Sequence, residues 1–157
     1  MKQLILFALI GLVAGEVKIK EREIVMGIAG GIYDGKLDAP ETQEAIKEAL
    51  GEFKRRADNL GSSDTVIVGN VVDVKAQIVA GMRFIITIQL GLTSDSDCKA
   101  KSEDGFVSAE DCSDSKNLGL HKMSIISQPW MDVKYLFNEF EDVEGPELKS
   151  LWDAGAN

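Results

Sequence analysis

Residues 65–92 read TVIVGNVVDVKAQIVAGMRFIITIQLGL: two apolar, strand-prone runs, Thr65 to Ala76 and Met82 to Leu92, joined by Gln77-Ile78-Val79-Ala80-Gly81. In the second run Phe84, Ile86, Ile88 and Leu90 share one face, with Arg83, Thr87 and Gln89 among the opposite set. That is the period-two pattern of a strand buried on one side, so the stretch reads as a β-hairpin. A connection that only turned the chain would usually carry Asn-Gly or Asp-Gly. This one puts two β-branched aliphatics, Ile78 and Val79, where water is expected. Two readings stay open: the pair meets another molecule, or it folds back onto the sheet.

Working outward, Pro40 to Asn59 places Ala45, Ile46, Ala49, Leu50, Phe53 and Ala57 on one stripe, the spacing of an amphipathic helix. Asp38 with Glu41 three residues on has the form of a capping box, and Lys54, Arg55 and Arg56 fall where the helix dipole favours cations. A β-prone segment spans Ile24 to Gly31. Further strands are predicted over Leu118 to Ser127 and over Met131 to Glu139, where Val133, Tyr135 and Phe137 alternate. An antiparallel sheet needs its apolar face covered, and the helix supplies the cover. The fold class is α+β, about five antiparallel strands wrapped around one long helix.

With 157 residues and 45% hydrophobic content, the chain holds one domain with a sizeable core. Met1 to Gly15 carries one charge, Lys2, then an apolar stretch from Leu4 to Val13 and small residues at Ala14 and Gly15, the pattern of a secretory signal peptide. That stretch is too short to span a bilayer, which favours a secreted, extracellular protein. The net charge is −9, and losing Lys2 with the leader makes it one unit more negative. Nucleic acid and anionic membrane surfaces are disfavoured as partners.

The Gln77 to Gly81 connection fits the Q-x-V-x-G motif of the cystatins, inhibitors of papain-like cysteine proteases. Three fixed positions alone would arise by chance in roughly a few per cent of chains this long. Two more elements stand in the family's order: Gly30-Gly31 after the apolar pair Ile28-Ala29 upstream, and Pro129-Trp130 downstream. Together they make the chain, from about Ile28 to Glu141, resemble a secreted (type 2) cystatin. The resemblance implies a domain over 28–144, with a leader at 1–15, an extension at 16–27 and a tail at 145–157. It implies obstruction without chemistry. Ile28 and Ala29 would fill the non-primed pockets of a papain-like, cathepsin L-like protease, and Gly30 and Gly31 would let the chain turn away from the catalytic thiolate. Gln77, Ile78, Val79, Ala80 and Gly81 would press on the cleft wall, and Pro129 and Trp130 would cover the primed side, with Trp130 as hot spot. The rival is a non-inhibitory secreted module of the same fold, since fold does not fix function. A monomer is expected. Val79, β-branched at a tight tip, gives a strained hinge through which a swapped dimer could form.

Two cysteines in an exported chain point to one disulfide, Cys98 to Cys112, closing about fifteen residues for about 3 kcal/mol in the chain-entropy model. Secreted cystatins usually carry two. His121 stands where the second would begin and Glu141 near where it would end, which leaves the last two strands less constrained. The acids Asp95, Asp97, Glu103, Asp104, Glu110, Asp111 and Asp114 lack the tight oxygen spacing of a calcium loop and read as solvated, so no metal or cofactor is implied. With a single histidine, His121, no catalytic constellation is offered. Asp58-Asn59-Leu60 is a poor match to the Ser-Asn-Asp legumain-binding site of some cystatins, and Asn59 reads as a helix end. Trp152 lies on a short helical turn of the tail, which either packs on the domain or stays mobile.

Overall fold

A computed structural model describes residues 31–114 and 117–156. The leader, the extension, most of the β-prone segment before Gly31, and the trunk residues Ile28, Ala29 and Gly30 lie outside the described residues. The helical stripe forms as its spacing dictates: α1 spans Pro40–Asn59, and Ala45, Ile46, Ala49, Leu50, Phe53 and Ala57 are all buried. Its start differs from expectation. Proline suits the first helical position, and Pro40 there makes Ala39 the cap, which has no capping side chain; Asp38 falls one residue outside and the box does not form. The Gln43 amide instead donates to the Leu37 carbonyl at 2.5 Å. At the other end Asn59 is the last helical residue, and Gly61, at φ +78°, turns the chain away with its N–H on the Asp58 carbonyl.

The hairpin read from residues 65–92 forms the centre of the sheet, as β2 (Thr65–Val79) and β3 (Gly81–Thr93). β1 (Ile32–Asp34) flanks β2, where Asp34 pairs with Lys75, and β5 (Gly119–Ser127) and β6 (Tyr135–Glu144) follow β3, every pair antiparallel. One short strand was not foreseen: β4 (Phe106–Ser108) lies parallel to Val66–Val68 of β2. Phe84, Ile86, Ile88 and Leu90 face α1 together with Val66, Val68, Val71 and Val74 of β2 and Met123 and Ile125 of β5. This single apolar layer is the core.

The last strand starts later than the alternation suggested. Pairing begins at Ser127 with Tyr135, so Met131 to Lys134 belong to a loop and Val133 is exposed. Tyr135 and Phe137 pack against the core. An extra residue in β6, Asn138 between the partners of Ile125 and Ser124, then shifts the phase, so that Phe140 is buried and Glu139 is not.

The tail is packed. Helix α3 (Lys149–Ala154), which follows the five-residue α2 (Ser96–Ala100), buries Trp152 against Phe140, ring centroids 5.1 Å apart and stacked. On its other face lies Arg56, guanidinium 3.8 Å from the ring centre, bonded to Glu52 at 2.8 Å and to the Trp152 carbonyl at 2.8 Å. Arg56 therefore does more than answer the helix dipole: it is a buried cation held by an aromatic face and a carboxylate. Cys98 and Cys112 are joined, and with Ile67 and Val107 they form a small second cluster. This acidic lobe follows β3 and precedes β5, so it sits at the end of the sheet opposite the β2–β3 turn.

Candidate functional site

At the β2–β3 turn Val79 pairs with Gly81, leaving Ala80 alone at the apex. Such a tip needs one residue in the left-handed region, and Gly81 takes it with φ +112°. Among the described residues, Asp104 is the single non-glycine with positive φ. Val79 therefore carries no backbone strain of that kind, and the hinge loses the cause the sequence suggested for it. The open question about the apolar pair resolves residue by residue: Ile78 is half-buried, whereas Val79 is 38% exposed and Ala80 is exposed. The side-chain amide of Gln77 turns sideways. Its oxygen accepts from Arg83 Nη1 at 3.3 Å, and Arg83 also donates to Ser124 Oγ at 2.7 Å and lies 3.6 Å from Glu139, a polar chain across the outer face of the sheet.

The β5–β6 loop ends beside this tip, because Met82 pairs with Ser127. It is closed by Gln128 N–H to the Lys134 carbonyl at 2.6 Å, and by Met131 N–H to the Gln128 carbonyl at 3.0 Å. Closure pushes its apolar side chains outward. Trp130 is 66% exposed, with Pro129, Met131 and Val133 also exposed. Pro129 and Trp130 stand out in the sequence as a turn, but Met131 and Val133 read there as the start of a strand. Their exposure follows from loop closure at Lys134, a long-range pairing that local alternation does not encode. Gly31 enters at the same end, since its neighbour Ile32 pairs with Gln77. Gly31, the first tip and the second loop thus share one edge of the molecule, while Ile28, Ala29 and Gly30 lie outside the described residues.

Tyr135 at the base of the second loop has its phenol pushed up to about 12, by burial first and then by the Glu44 carboxylate it bonds, with Glu48 adding to the effect. It is a neutral brace to α1. His121 lies wholly buried toward the opposite end, and among the described residues no group of three or more His, Cys, Asp or Glu side chains is placed to hold a metal. Asn59 donates its amide to the Gly155 carbonyl at 3.2 Å, a structural bond that ties the helix end to the tail.

The Cystatin domain family matches residues 30–130 of this chain. Among similar proteins are a cystatin of Oncorhynchus keta, 26% identical over 118 residues that cover 73% of this chain and 85% of the other, and cystatin-C of Bos taurus, 30% identical over 67 residues, 43% of each. Dimeric human cystatin F superposes with a TM-score of 0.51 at 12% identity, over 82% of this chain and 98% of that one, a likeness of fold. The matched span contains the helix, the central hairpin and the Pro129-Trp130 loop in the order the sequence presents them, so the chain belongs to the cystatin family, with one disulfide where secreted cystatins usually have two.

Proposed function

We propose that the protein is a secreted, reversible inhibitor of papain-like cysteine proteases of the cathepsin L kind, acting from the extracellular side after removal of a leader at 1–15. One observation carries the reading. The first tip and the Pro129-Trp130 loop adjoin at one edge and expose Val79, Trp130, Met131 and Val133, apolar surface that neither sheet nor helix uses. An edge of that kind fits a cleft better than it fits water. In this reading Ile28, Ala29, Gly30 and Gly31 occupy the non-primed side, Gln77 to Gly81 press on the wall, and Pro129 and Trp130 cover the primed side. The inhibitory unit runs over 28–144 and acts as a monomer. No side chain of the edge is asked to react, so inhibition is reversible and leaves serine proteases untouched.

The test is titration of active papain with mature protein. Stoichiometric loss of activity with a nanomolar or tighter constant is expected, as for other inhibitor interfaces of standard size. Full activity of papain and cathepsin L at micromolar inhibitor would leave a non-inhibitory module as the correct reading.

A further inference from the structure

We infer that Gln128 is a positioning residue that locks the two tips into one surface, a role that deepens the inhibitor reading and rests on it. Ala80 stands at the apex, outside the β2–β3 register, and its carbonyl faces the neighbouring loop. Gln128 reaches across and donates its side-chain amide to that carbonyl at 2.8 Å. The same residue closes its own loop twice through its backbone, by its N–H to Lys134 and its carbonyl from Met131. One side chain therefore fixes the apex of the first tip to the frame that carries Trp130.

The fit between the tips is close enough to restrict sequence. A Cβ on Gly81 would lie 2.2 Å from the Ser127 carbonyl oxygen and 3.1 Å from Gln128 Cγ. Glycine is thus required there twice, once for its left-handed φ and once because the second loop's backbone lies against it. Neither tip is held rigid by burial, since Ala80, Pro129 and Trp130 are all exposed. Without a tie, each would lose its own conformational freedom on entering a cleft; the tie removes part of that loss beforehand.

Two substitutions separate the hydrogen bond from bulk. Gln128→Ala removes the amide, and Gln128→Glu keeps length and shape but, as a carboxylate, offers no donor to a carbonyl oxygen. Both should leave the thermal midpoint within a degree or two, raise the fast backbone mobility of Val79, Ala80 and Gly81 in NMR relaxation, and weaken papain inhibition about threefold to tenfold through faster dissociation. Unchanged mobility at those amides in both variants would overturn the inference. So would unchanged dissociation in a background where the parent inhibits. Should the parent itself fail to inhibit papain, the protease reading falls, and the NMR measurement alone still decides whether Gln128 orders the tip.

Discussion

His121 Nδ1 lies 2.8 Å from Asp142 Oδ1, and the two residues pair across β5 and β6. The neighbouring Glu141, near where the family resemblance would end a second disulfide, pairs in register with Lys122 and is exposed. Asp142 does more than meet the imidazole, since it also accepts the backbone N–H groups of Leu148 at 3.0 Å and Lys149 at 3.1 Å at the start of α3. A cross-strand polar pair thus ties the last two strands to the tail.

Acidification should loosen this tie in two stages. Burial lowers the His121 pKa from 6.5, against the pull of Asp142 and the Leu90 carbonyl, so the native state holds it neutral. Its Nε2 is buried and makes no hydrogen bond among the described residues. A lowered folded pKa means that the unfolded chain binds the proton first. The stability this supplies is full above about 6.5 and is lost as pH falls toward the folded value. Burial acts to raise the Asp142 carboxyl, but the N–H groups of Leu148 and Lys149 and the imidazole together win and lower it from 3.8, so its own contribution goes only in stronger acid. Urea melts at pH 7.5, 6 and 5 should show falling stability. In His121→Gln the decline between pH 7 and 5 should flatten, and an unchanged slope would assign it elsewhere.

Contact and scaffold should separate cleanly. Trp130→Ala should cost about 2 kcal/mol or more of protease binding, as truncation of a hot spot does, with little change in thermal midpoint because the indole is mostly in water. Leu50→Ala, wholly buried on α1, should lose about 2 to 5 kcal/mol of stability and inhibit normally while folded. A Trp130→Ala protein that melts early yet inhibits would reverse the assignment.

The tail should matter for stability alone. Trp152→Ala removes the ring between Phe140 and Arg56 and should destabilise by about 3 to 5 kcal/mol, with Arg56 left over a cavity. Arg56→Lys should also lose stability, because an ammonium cannot reproduce the stacked, forked contacts to Trp152 and Glu52. Papain titration at a temperature where both variants are folded should give the parent's constant.

Opening Val79, Ala80 and Gly81 into one continuous strand would let two chains exchange α1 with its flanking strands. Such a dimer would lack the first tip and should not inhibit. With the left-handed position on glycine, no strain at Val79 drives the opening, so mild heating of concentrated protein should yield dimer slowly if at all, as read by size-exclusion. A dimer that inhibits mole for mole like the monomer would sink this account.

The helix and central hairpin were legible because their signals are local: six apolar residues at helical spacing, four at strand spacing, each buried where its period placed it. What the sequence could not show is what depends on register. The start of β6, its bulge at Asn138 and the exposure of Met131 and Val133 follow from which residue of one strand meets which of the next. Arg56 over Trp152 joins positions 96 residues apart, and no pattern of charge on α1 distinguishes it from Arg55, which stays at the surface. Gln128 was hidden for a similar reason. A glutamine before a proline reads as turn chemistry until the opposite tip is in place.

The acidic lobe pinned by Cys98 and Cys112 is separated from the tips by the length of β2, whose 15 residues span roughly 45 Å at about 3.3 Å each. At physiological ionic strength charges are screened over about 8 Å. Several screening lengths therefore lie between the lobe and anything the tips touch. Charge reversal at Asp97, Glu110 or Asp111 should leave affinity at the tips unaltered, and its response to salt as well. The lobe can change its charge, and with it the solubility of the whole molecule, without any compensating change at the edge proposed to bind.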